Sequence, residues 1–158
     1  MAKKHSGRIE GGFVALPWTV LDSPAWVDLS HPARSLLIEL ARQYNGHNNG
    51  RLLASSAYLV KRGWKSNDVI SRAKRDLIEA GFIFETVMGH RPNRASWYAL
   101  TWQALDRLPG YDAGALESFR RSAFRAPPLL TLVPASPTRE ALYERHRSLP
   151  HPLARVAV

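Results

Sequence analysis

A chain of 158 residues with 22 Lys and Arg, 13 Asp and Glu and no cysteine carries a formal charge of +9, and 45% of it is apolar. That apolar share excludes a wholly disordered protein, and the length excludes a second large core beside one domain of ordinary size. The lack of cysteine excludes disulfides, thiolate zinc sites and cysteine nucleophiles, while the positive surplus points to a polyanionic partner, either nucleic acid or an acidic membrane face.

Residues 1–12 are small, basic and glycine-containing, with too little apolar surface to offset the entropy of ordering them, and read as a flexible basic arm. Lys3 and Lys4 are not followed by the apolar stretch of a secretory signal, which predicts the cytoplasm. From Phe13 to Leu29 large apolar groups alternate with Pro17, Asp22, Ser23 and Pro24. This pattern predicts an extended entry strand and a short helical turn, with Trp18 and Trp26 capping a core.

Ser30 then reads as an N-cap, with Pro32 tolerated in the first turn because its missing N–H would have had no helical partner. Leu36, Leu37, Leu40, Ala41 and Tyr44 recur at helical steps, so a helix is expected over 30–45, stopped at Asn45-Gly46. A brief strand is expected at Arg51-Leu52-Leu53. Ser55 or Ser56 caps a short helix over 56–62 that ends at Gly63. Ser66 caps a longer one over 67–80, with Val69, Ile70, Ala73, Leu77 and Ala80 on its buried side and Gly81 as its stop.

Beyond Gly81 the period shortens to two, with Phe82, Phe84 and Thr86 opposed to Ile83, Glu85 and Val87. A polar tip from Gly89 to Arg94 separates this run from Ser96 to Trp102, so 82–102 reads as a hairpin. Residues 13–112 form the expected domain. Residues 113–158 form a helical, Pro-interrupted tail, with one helix over Ala115 to Phe124 and another from Thr138 to Arg147. The longest apolar runs, Leu36-Leu37-Ile38 and Leu129 to Val133, fall far short of the ~20 residues that span a bilayer.

The fold class expected is α+β, mainly α. The order helix, short strand, short helix, glycine turn, helix and hairpin over residues 30–102 resembles a winged helix-turn-helix domain. The lead-in from Leu21-Asp22-Ser23-Pro24-Ala25-Trp26 through Leu29-Ser30 to Leu36-Leu37 is similar to the opening of winged-helix proteins of phage and plasmid origin, both regulatory and replicative. The resemblance implies a sequence-specific double-stranded DNA-binding protein, a transcriptional regulator, with helix 67–80 in the major groove and the 82–102 hairpin as wing.

On that basis Lys65, Ser66, Asn67, Ser71, Arg72, Lys74 and Arg75 are the candidate DNA contacts of the helix. Asn67 and Arg72 suit base readout, because Asn bonds adenine and Arg bonds guanine through paired contacts. Lys65, Lys74 and Arg75 suit phosphate. Arg91 and Arg94 at the hairpin tip are expected at a minor groove or the backbone, as in other wings. The bland reading of these residues is a solvated basic face and a soluble turn. Trp64, Trp97, Tyr98 and Trp102 read as packing groups rather than base-stacking platforms.

No P-loop, HExxH or GxSxG pattern occurs, the six His are scattered, and no carboxylate pair has a reason to share a proton. No catalytic residue, metal site or cofactor is therefore expected. A homodimer matched to a palindromic site is expected of such regulators. The competing reading is a protein-interaction adaptor or replication-initiation accessory on the same scaffold, its tail over 113–158 gripping a protein partner through Leu129, Leu130, Leu132 and Val133.

Overall fold

The computed structural model describes residues 11–126 apart from 91 and 93. Two short helices lead in, α1 (Trp18–Leu21) and α2 (Pro24–Asp28), the second capped by the Ser23 hydroxyl, which accepts the Trp26 N–H. No strand forms at residues 13–17, and Trp18 is 77% exposed rather than capping a core. The reason is angular: α1 is a single turn that buries Val20, and a side chain two residues earlier points ~200° away. Trp26 does reach the core, standing edge-on to Phe82 with centroids 6.3 Å apart.

Helix α3 (His31–Gln43) starts where its cap predicts, with the Ser30 hydroxyl accepting the Ala33 N–H and Pro32 in the first turn. Its buried stripe is Ala33, Leu36, Leu37, Leu40 and Ala41. At its end the Gln43 side chain acts as a piece of strand. Its Nε2 donates to the Leu53 carbonyl at 2.8 Å and its Oε1 accepts the Leu53 N–H at 2.8 Å, which fixes strand β1 (Leu52–Leu53) to the helix terminus.

Helix α4 (Ser56–Lys61) follows, capped by Ser55, and then α5 (Asn67–Glu79), capped by Ser66. Both end in the same way. Gly63 donates to the Val60 carbonyl and Trp64 to that of Leu59, while Gly81 donates to Ile78 and Phe82 to Leu77. This paired closure needs a left-handed residue, and the two glycines supply φ of +91° and +76°. At Gly81 there is also no room for a Cβ, which would lie 2.7 Å from the Ala123 backbone. The apolar residue after each glycine, Trp64 or Phe82, then packs into the core.

The sheet is antiparallel in the order β1-β3-β2, formed by β1, β2 (Ile83–Val87) and β3 (Trp97–Leu100), with Leu52 opposite Tyr98 and Ile83 opposite Leu100. The expected alternation along 82–87 fails. A bulge between Glu85 and Val87 lets Thr86 and Val87 both be buried, and the Thr86 hydroxyl donates to the Gly50 carbonyl at 2.6 Å. Burial of Tyr98 in the central strand pushes its phenol up to about 12.

The chain after β3 is held by Asn49, which is fully buried. Its Nδ2 donates to the carbonyls of Leu100 (3.0 Å) and Ala104 (2.8 Å), and its Oδ1 accepts the Leu100 N–H at 2.7 Å. Its own N–H donates to the Asp106 carboxylate at 2.7 Å. The domain continues past the expected limit at Asp112. Helix α6 (Ala115–Ser118) packs on β2, and a 3-10 turn (Ala123–Arg125) places Phe124 flat against Phe82, ring centroids 5.1 Å apart. The single helix expected over Ala115 to Phe124 does not form: α6 stops at Ser118, where Phe119 turns extended, and the separate 3-10 turn follows the left-handed Ser122. The expected helix over 138–147 and the apolar cluster near Leu129 lie outside the described residues.

The described molecule is thus α+β and helix-rich, with six α-helices and a small three-stranded sheet around one core built on Leu36, Leu37, Leu40, Leu59, Ile70, Leu77 and Phe82.

Candidate nucleic-acid interface

Which side of α5 faces outward follows from its sequence. Ile70, Ala73 and Leu77 recur at three- and four-residue steps and are buried, with Val69 and Ala80 half-buried beside them. The packing is mainly against α3, and the Ser30 hydroxyl that caps α3 also donates to the Asp76 carboxylate of α5 at 2.8 Å. With one stripe committed to the core, the other must meet solvent.

Lys65, Ser66, Asn67, Ser71, Arg72 and Arg75 are all exposed, and Lys74 is half-buried. The turn before α5 and its first three turns therefore present a polar, cationic surface that no neighbouring element among the described residues covers. Ser66 has a structural role as well, because its hydroxyl accepts the Val69 N–H at 3.4 Å. Arg72 carries the face's one ion pair among the described residues, its Nη2 lying 2.8 Å from Asp68 Oδ2. The basic residue that precedes the turn, Arg62, is committed elsewhere. Its guanidinium grips Glu39 of α3 through Nε (2.9 Å) and Nη2 (3.2 Å), and that hydrogen-bonded carboxylate holds it above its usual value.

The hairpin is less open than its sequence suggests. His90 and Arg94 pair through both backbone hydrogen bonds, so Arg94 sits on a rung of the hairpin. Its Nη2 meets Asp112 Oδ1 at 2.9 Å and the Gly110 carbonyl at 3.4 Å. Asp112 in turn accepts the Met88 N–H at 2.6 Å and donates its own N–H to the Thr86 carbonyl. Arg94 is thus part of a clamp that fastens the hairpin's base to the loop after β3, which corrects its expected place at the tip. Arg91 lies outside the described residues.

The aromatic groups pack. Tyr98 and Trp102 are buried and Trp64 is partly buried against the core. Trp97 lies beneath the Arg51 guanidinium at 4.9 Å. Among the described residues no group of three or more His, Asp or Glu is placed to hold a metal ion, and no helix is long and apolar enough to cross a membrane.

Asp68, which is not among the candidate contacts, also belongs to this surface: it stands four residues before Arg72 on the same face, a spacing that favours an ion pair on a helix. No family model, curated protein or solved structure matches the chain.

Proposed function

We propose that this chain is a winged helix-turn-helix protein that binds double-stranded DNA in a sequence-specific way, as a transcriptional regulator, with α5 in the major groove and the β2–β3 hairpin as its wing. The observation that carries the reading is the exposed face of α5. Asn67, Ser71, Arg72 and Arg75, with Lys65 in the turn before them, stand clear on a helix that follows a tight glycine turn and is locked to α3 by its opposite side. The sheet order supports it, since β3 runs between β1 and β2 and so ties the hairpin to the strand that precedes α4. Such a helix projects its first turns into a groove about 12 Å wide without moving the core.

The face is mixed rather than merely basic. Asn67 and Arg72 carry the donor and acceptor patterns that read bases, while Lys65, Lys74 and Arg75 address phosphates. Two chains on a palindromic site are part of the same reading. Titrating the protein onto duplex DNA over a salt series tests it. Affinity is expected to fall with rising salt along a log–log line whose slope reports about three to five phosphate contacts. A folded chain with no measurable duplex binding at low salt would exclude the proposal.

A further inference from the structure

Asp68 is out of place on a surface meant for a polyanion. It is the most exposed member of its ion pair, 76% against 59% for Arg72, and it stands among Lys65, Arg72 and Arg75 at the leading end of α5. The other acids of this helix have different settings: Asp76 is held by the Ser30 hydroxyl and Glu79 lies at the far end. A carboxylate at this position weakens any grip on phosphates that ignores sequence; in the first turn of α5 it suits the helix dipole, and its exposed pair with Arg72 adds only ~0.3–0.5 kcal/mol to stability.

The geometry points to positioning, and we infer that Asp68 aims Arg72 at a guanine, so that the pair sets the base preference at one position of the bound site. The inference rests on the DNA-binding reading above. An arginine side chain free in solvent samples many rotamers, whereas one whose Nη2 lies 2.8 Å from Asp68 Oδ2 is biased towards those that keep the pair. The guanidinium has five N–H donors in a planar fork. The pair takes up Nη2 on one edge, and among the described residues no other contact engages Arg72, so donors remain for guanine O6 and N7. Arg72 is then presented with its plane biased before the duplex arrives.

The test begins with selection of a preferred site from random duplexes by the wild-type chain. Affinities of wild type, Asp68→Ala, Asp68→Glu and Arg72→Ala are then measured on that site and on versions with each guanine replaced in turn, with thermal melts to confirm that each variant is folded. Arg72→Ala is expected to abolish discrimination at one guanine. Asp68→Ala is expected to lower discrimination at that same guanine about twofold while tightening binding to unrelated duplexes about two- to fivefold, because one negative charge is gone. Asp68→Glu, which still reaches residue 72, is expected to restore most of the discrimination.

Should Asp68→Ala change affinity for every duplex by one common factor, or should selection enrich no site although duplex is bound, the positioning role is overturned and DNA binding stands. Failure of the wild-type chain to bind any duplex removes both.

Discussion

Replacing Arg72 and Arg75 together with alanine is expected to weaken duplex binding roughly 30- to 700-fold at fixed salt, the equivalent of ~2–4 kcal/mol. The estimate joins one paired base contact, worth ~1–3 kcal/mol, to one phosphate contact, and the two residues are close enough on α5 for their effects to be coupled. The two single variants are expected to differ in kind. Arg75→Ala should lower affinity almost uniformly across sequences and reduce the salt slope by about one, whereas Arg72→Ala should act mainly at one base pair and leave the slope nearly unchanged.

Neither variant should unfold the protein. Both side chains are exposed, the Asp68–Arg72 pair is a surface pair one helical turn apart worth ~0.3–0.5 kcal/mol, and alanine's helix propensity offsets part of that. Arg107→Ala, which removes an exposed charge from the loop after β3, serves as the control and is expected to change affinity less than about threefold.

A large effect on stability is expected at Asn49. Its side chain makes three hydrogen bonds to backbone groups of Leu100 and Ala104, and it has no exposed surface. In Asn49→Ala the Leu100 carbonyl retains the Gln103 N–H at 3.3 Å, but the Leu100 N–H and the Ala104 carbonyl lose the partners that Asn49 supplied. The Leu100 N–H is buried whereas Ala104 is exposed and its carbonyl can turn to water, so one buried group without a partner sets the cost, and a loss of ~1–3 kcal/mol with a fall in melting temperature of roughly 4–15 °C is expected.

The damage should spread along the segment that Asn49 fastens. Asp106 and Tyr111 both reach back to the Asn49 backbone, Arg51 donates to the Pro109 carbonyl, and Asp112 holds the base of the hairpin. Amide hydrogen exchange in Asn49→Ala is therefore expected to accelerate across residues 100–112 and in the β2–β3 hairpin before it does so in α3. A variant that melts with the wild type would show that these bonds are individually dispensable.

What could be read from the sequence in this molecule is what is local. Ser30, Ser55 and Ser66 announce three helices because each cap acts on a backbone N–H three residues ahead. Gly63 and Gly81 announce two stops because only glycine takes that φ without strain. The outward face of α5 follows from the spacing of Ile70, Ala73 and Leu77, which leaves Asn67, Ser71, Arg72 and Arg75 exposed and Lys74 half-buried.

What escaped is set by distant partners. Nothing near Asn49 in the chain reveals that it will be buried against Leu100 and Ala104, and a bulge at Thr86 depends on the Gly50 carbonyl across the sheet. Phe124 joins the core by stacking on Phe82, a partner forty-two residues back in the chain, so packing continues past Asp112. Arg94 looked like a free cation until Asp112, eighteen residues on, took its charge.

The central claim is that the surface from Lys65 to Arg75 is the one that meets DNA. Backbone amide chemical shifts of the intact protein, followed as a mixed-sequence duplex is added at low salt, test it most directly. The account predicts that the largest changes fall on residues 65–75, with a second, smaller group in the hairpin between Met88 and Ser96. Changes centred instead on the lead-in helices or on α6, with residues 65–75 unmoved in the presence of bound duplex, would contradict it.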